Sequence, residues 1–238
     1  MRKFLAEFIG TFFLLFTVSV TVIRAAPLAP LAIGSVLMVM IYAGGHVSGG
    51  HFNPAVTLAV LIRGRIAVPD AAGYVFAQVS GGVVGALAGY WVTNPASVTA
   101  LELSGRSMSA AFVAEAVFTF ALAYVVLNVA TSRSHPNNSF YGLAIGFTVL
   151  TGAVAVGGVS GGAFNPAVAL GAATIGILSW SSIWIHLIAE ALGGAIAAVA
   201  FLTVSEETRA VPTPPPSSPG RQTLSETAGT TENHPVQA

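Results

Sequence analysis

Six mainly apolar stretches run along the chain, at about residues 4–23, 31–45, 71–92, 110–129, 140–156 and 183–204, each with few polar residues inside it. A helix rises about 1.5 Å per residue and the hydrocarbon core of a bilayer is about 30 Å thick, so runs of this kind predict membrane-spanning helices. Two shorter apolar stretches, 55–62 and 167–177, would reach only about 12–17 Å as helices and cannot cross alone. Residues 93–107 are polar and read as the link between two halves. From residue 205 the chain turns polar and rich in proline and serine, and it is expected to remain disordered.

The pattern is doubled. Residues 45–56 read GHVSGGHFNPAV and residues 157–168 read GGVSGGAFNPAV, a near-identical phrase recurring after 112 residues. The match continues outside it. LAEFIGTFFLLF at 5–16 is echoed by VAEAVFTFALAY at 113–124, which pairs Glu7 with Glu115, and LAIG at 31–34 returns at 143–146. The unit is therefore three spans plus one short helix, present twice, at about 1–92 and about 108–204. An odd number of spans makes the second unit enter the membrane from the opposite face, so the repeats are inverted. One short helix should then dip in from each side, the two meeting end to end as a composite seventh span. The predicted fold is an all-α membrane protein with six transmembrane helices and two re-entrant half-helices.

In each copy of the phrase a glycine-rich run leads into Asn-Pro-Ala, at Asn53, Pro54 and Ala55 and at Asn165, Pro166 and Ala167. Asparagine is a favoured N-cap and proline suits the first helical position, so each triplet starts a helix out of a loop. Backbone that leaves a helix at membrane depth survives only where it is buried or lines a wet cavity. The loops at 44–52 and 157–164, with His46, Gly49, Gly50, His51 and Gly161, should therefore line a pore. If each asparagine oxygen caps its own helix, the amide hydrogens are left to face the lumen, where two helix N-termini add partial positive charge. A neutral solute with hydroxyls can replace its water contacts there, while a cation is repelled. Passive conduction of small uncharged molecules follows, with no cofactor, no metal and no energy coupling.

Composition narrows the alternatives. Of 238 residues, 54% are hydrophobic and 8% charged, against about 25% charged in a soluble domain. Nine basic residues balance nine acidic ones, so nothing recruits nucleic acid, and the absence of cysteine removes thiolate chemistry. No nucleophile-base pair, metal cluster or phosphate loop can be assembled, which argues against an enzyme. With both termini inside, Arg2, Lys3, Arg63, Arg65 and Arg133 face the cytoplasm and leave Arg24 and Arg106 outside, in keeping with the positive-inside bias. The chain is thus expected in a cell (inner) membrane, in contact with lipid, with cytoplasmic termini and a cytoplasmic tail. The basic start could also open a signal peptide before AAP at 25–27, but the apolar run is long enough to span.

Over about residues 1–204 the chain resembles the aquaporin and aquaglyceroporin (major intrinsic protein) channels, most specifically in the doubled Asn-Pro-Ala of GGHFNPAV and GGAFNPAV. The resemblance implies a homotetramer with one pore per subunit, and roles for Glu7 and Glu115 as buried acceptors bracing the re-entrant loops. It also implies a second constriction at Ile33, Ala153, Gly162 and Val168. Water-selective members carry an aromatic residue, a His, a small polar residue and an Arg there, and this chain has none of them. Val168 stands where Arg normally follows Asn-Pro-Ala, and Ala169 where glycerol channels often have Asp. The expected opening is broad and apolar, admitting glycerol, urea and neutral metalloid hydroxides such as arsenite as well as water. Bacterial channels associated with arsenic resistance look similar in lacking the Arg.

Other polar residues have plainer readings. His186 and Glu190, four apart on the last span, are expected to satisfy each other, with a proton relay as the lesser alternative. Gln78, which answers Glu190 in the repeat, reads as interhelical packing, as do the glycines of 79–89 and 191–195. His46 and His51 lack a third metal ligand nearby. The sequon at 137–139 lies on the expected cytoplasmic side, where it is a chance match. A mainly water-conducting channel, an ion-coupled secondary transporter and a closed junction protein remain the rival readings.

Overall fold

The computed structural model describes residues 1–205. Expectations for the Pro-rich tail beyond them fall outside the described residues. Among those residues the chain forms eight α-helices: α1 Arg2–Ile23, α2 Ala29–Ser48, α3 Pro54–Ile62, α4 Val68–Thr93, α5 Arg106–Val126, α6 Tyr141–Ser160, α7 Pro166–Thr174 and α8 Ile183–Val204. A single π-helical stretch, Leu127–Thr131, prolongs α5. Six of these helices, counting α5 with its extension, are long and apolar enough to span a membrane. The half-helices α3 and α7 have nine residues each, about 14 Å apiece, so the two in line approach the thickness of the hydrocarbon core.

The helices of each repeat pair in the same way: α1 lies along α4 and α5 along α8, while α2 and α6 meet each other between the repeats. Glycine sets the closeness of these crossings. A Cβ at Gly81 or Gly85 would strike the carbonyl oxygens of Phe8 and Phe12, and one at Gly193 would stand 2.5 Å from that of Ala116. The two copies of LAIG meet face to face, since a Cβ at Gly34 would lie 2.6 Å from the Gly146 oxygen and one at Gly146 would strike the Gly34 oxygen. Each half-helix packs more extensively on the other repeat than on its own, α3 on α8 and α7 on α4.

Two boundaries differ from the sequence reading. The non-helical loops are shorter than 44–52 and 157–164, because α2 continues to Ser48 and α6 to Ser160. Gly44-Gly45 and Gly157-Gly158 do not end their helices. The next glycines do, Gly49 at φ 88° and Gly161 at φ 93°, each with its N–H returned to the carbonyl four residues back, as a left-handed C-terminal glycine does. Arg63, one of the basic residues expected on the cytoplasmic side, is held inside the protein. It is fully buried at the end of α3, donates to the Thr131 hydroxyl at 2.6 Å and carbonyl at 3.0 Å, and lies over the Phe201 ring. A guanidinium can be buried when its donors find the carbonyls of a helix end and its face finds an aromatic ring.

Candidate functional site

The two loops preceding α3 and α7 have the same backbone. Gly49, Gly50 and Phe52 take φ of 88°, 63° and 47°, and Gly161, Gly162 and Phe164 take 93°, 65° and 50°. The glycines adopt this region freely, but a phenylalanine there is strained and must be held by its surroundings. Both rings are buried, and both peptide groups are used. The Phe52 N–H donates to Glu7 Oε2 at 2.6 Å and the Phe164 N–H to Glu115 Oε2 at 2.7 Å. The left-handed turn thus aims the N–H at a carboxylate behind the loop and leaves the carbonyl pointing forward.

The forward carbonyls connect the repeats. Asn53 caps its own helix, its Oδ1 accepting from Ala55 N at 2.8 Å and Val56 N at 3.3 Å, while its Nδ2 donates 2.8 Å to the Phe164 oxygen. Asn165 mirrors this, accepting from Ala167 N at 3.0 Å and donating 2.9 Å to the Phe52 oxygen. The sequence reading left both amide hydrogens of each asparagine free for the lumen. One of the two is instead committed to the opposite loop, and one remains. The helix N-termini are held together by this exchange, so their partial positive charges add at one point.

Behind each loop sits a carboxylate, and the two differ in what holds it. Glu7 accepts from the Ser48 hydroxyl at 2.6 Å, from His51 N at 3.0 Å, from Phe52 N, and from Gln78 Nε2 at 2.8 Å. Glu115 accepts from Ala163 N at 3.1 Å and Phe164 N. Tyr74 donates its hydroxyl to the Ser48 carbonyl at 2.6 Å, and His186, its counterpart 112 residues on, places Nε2 2.8 Å from the Ser160 carbonyl. The expected His186–Glu190 pair does not form: among the described residues, Nδ1 of His186 and both oxygens of Glu190 have no hydrogen-bond partner. Spacing of four puts two residues on one face, but the backbone carbonyl at the end of α6 takes the imidazole.

A cavity of about 490 Å³ runs past this junction. Ile33, Ala153, Gly162 and Val168 all line it, as do Asn53, Asn165, His51 and Gly161. Gly49 and Gly50 are not among the lining residues, and His46 is exposed on the last turn of α2. His51 has Nδ1 3.1 Å from the Thr57 hydroxyl. The lining carries no Lys, Arg, Asp or Glu, and its other residues are largely aliphatic. Gly157 and Gly158, within the second loop expected to line a pore, do line the cavity, and an added Cβ there would meet nothing; sequence reasoning missed Leu101 and Leu178, which also line it, the Leu101 N–H donating to the Ile177 carbonyl at 2.9 Å. No sequence pattern marks the Phe52 and Phe164 carbonyls as the partners of the opposite asparagine amides.

The profile of the family described as Major intrinsic protein matches residues 1–201. The chain is 39% identical over 218 residues to "Glycerol uptake facilitator protein-like 6" of Lactiplantibacillus plantarum, covering 87% of this chain and 100% of that one. It is 34% identical over 203 residues to "Nodulin-26" of Glycine max, covering 81% of this chain and 74% of the relative. Its fold is similar to that of the aquaglyceroporin from Plasmodium falciparum, with a TM-score of 0.72, 22% identity, and coverage of 85% of this chain and 96% of that one.

Proposed function

Because the chain belongs to the major intrinsic protein family and is a passive multi-pass membrane channel rather than an enzyme, we propose that its pore favours uncharged solutes larger than water. Glycerol and urea come first, then neutral metalloid hydroxides such as arsenous acid, with water also passing. Support comes from the lining at Ile33, Ala153, Gly162 and Val168, which is aliphatic or bare backbone and carries no cation. Solutes with several hydroxyls lose little by leaving water here, since the remaining amide hydrogens of Asn53 and Asn165 donate to them. Cations meet two helix N-termini. Similarity to the glycerol uptake facilitator-like protein of Lactiplantibacillus plantarum supports glycerol as a permeant.

The observation that carries the reading is Val168, buried against the cavity directly after the second Asn-Pro-Ala. One vesicle preparation should therefore be tested for water, glycerol, urea and arsenous acid, native beside Val168→Arg. Glycerol, urea and arsenous acid permeabilities should fall by about tenfold or more in the variant, since a buried charged side chain adds both bulk and a desolvation demand, while water flux persists. Equal solute permeabilities in the two proteins would remove position 168 from the constriction. Water flux far above glycerol flux in the native protein would favour the water-channel alternative.

Assembly as a tetramer with a pore in each subunit, residence in a cell membrane and cytoplasmic termini belong to the same proposal. The chain lacks cysteine, so Ser104→Cys gives one thiol on the α4–α5 link. Its labelling by an impermeant maleimide added outside intact cells is the expected result.

A further inference from the structure

The two repeats are built alike except behind the second loop. In the first, the Gln78 amide donates to Glu7 at 2.8 Å and to the Thr57 hydroxyl at 2.9 Å. The positions 112 residues on are Glu190 and Ala169. Where the first repeat has a donor, the second has a carboxyl group, and where it has a hydroxyl, the second has a methyl group. Ser160, the counterpart of Ser48, does not replace the missing donor: its hydroxyl faces the Val156 carbonyl at 3.5 Å and accepts from Gly162 N at 3.2 Å.

Glu115 and Glu190 are both fully buried, Glu190 lies beside Glu115 and the backbone of Asn165, and neither of its oxygens has a hydrogen-bond donor among the described residues. Two ionised carboxylates in contact without a cation between them are strongly disfavoured, and the usual resolution is one proton held between them. His186 does not supply the cation. The Ser160 carbonyl can only accept, so Nε2 carries the hydrogen of that bond, and Nδ1 has no acceptor for a second one. Its Nε2 lies 3.9 Å from Glu115 Oε1. The titratable groups facing the pair are Glu115 on α5 and His186 and Glu190 on α8; the end of α6 and the loop before α7 contribute only backbone groups and Ser160.

We infer that one proton is shared between the carboxyl groups of Glu115 and Glu190, and that it braces the second re-entrant loop as the Gln78 amide braces the first. An O–H from one carboxyl to the other stands in for the N–H of Gln78. The loop it secures, through the bonds of Glu115 to Ala163 N and Phe164 N, includes Gly162 and ends at Asn165, both on the cavity wall. The position of the proton is independent of which solute passes; only its effect on flux rests on the channel reading.

The test compares the native protein with Glu190→Gln, which restores an amide at this position. Infrared spectra of the purified native protein at neutral pH should show a protonated-carboxyl C=O band that the variant lacks. Raising the pH should weaken the band and lower the glycerol permeability of the reconstituted native protein together, because departure of the proton leaves two facing carboxylates. The variant should show no such coupled loss. Absence of the band in the native protein, its survival in the variant, or loss of the band without loss of flux overturns the proposal. If Glu190→Gln does not fold, Glu190→Leu serves for the infrared comparison and the native spectrum alone still decides whether the proton is present.

Discussion

A Cβ placed on Gly194 of α8 would stand 2.5 Å from the carbonyl oxygen of Ala55, the last residue of the first Asn-Pro-Ala triplet. The counterpart contact, Gly82 of α4 to the carbonyl oxygen of Ala167, is looser at 3.1 Å. Each half-helix therefore seats its first turn on a glycine of the other repeat. Backbone oxygen cannot swing aside as a side chain can, so Gly194→Ala should destabilise by about 1–3 kcal/mol, in the range of overpacking. Gly82→Ala should cost less. Thermal unfolding of the purified variants in detergent measures the difference, and a Gly194→Ala melting temperature equal to the native one would contradict this seating.

Asn53→Asp separates the cap from the cross-repeat bond. An aspartate still accepts from Ala55 N and Val56 N, but it cannot donate to the Phe164 carbonyl, and it brings a negative charge to the helix N-termini. Stability should fall by about 1–3 kcal/mol for the carbonyl left without its donor. Sodium or proton leak in vesicles should rise while glycerol still passes. A variant as tight to cations as the native protein would show that the barrier lies elsewhere.

The carboxylate of Glu7 receives donors from four residues, two of them loop N–H groups. Glu7→Gln turns one acceptor oxygen into a donor that faces other donors, at about 1–3 kcal/mol for each group stranded. The variant should unfold at lower temperature and lose glycerol flux, because Phe52 is no longer held in its left-handed conformation. Unchanged melting together with unchanged flux would count against Glu7 as the anchor of this loop.

Much of this architecture can be read from residue pattern. Apolar runs located the six spans, and the doubled dodecamer gave both half-helices with their Asn caps and their inverted arrangement. The reading overran at the loops because Gly44-Gly45 looks like a helix terminator, whereas termination depends on which glycine can turn left-handed and return its N–H. Counting basic residues assigns Arg63 a side of the membrane and says nothing of its burial against Phe201. The reading paired His186 with Glu190 because spacing along one helix is visible in sequence and the opposing Ser160 carbonyl is not. The four positions expected at a second constriction all line the cavity, yet the use of the Phe52 and Phe164 carbonyls depends on φ angles that phenylalanine rarely adopts.

The mutual dependence of the half-helices bears on how the protein is made. The ribosome delivers α3 well before α6, α7 and α8, so at that stage neither the Phe164 carbonyl that takes the Asn53 amide nor the Gly194 surface that receives Ala55 has been synthesised. The early re-entrant segment must wait in a provisional setting, and it locks only when the last span has been threaded into the bilayer. Maturation of the passage is thus a late event of biogenesis, coincident with completion of the chain.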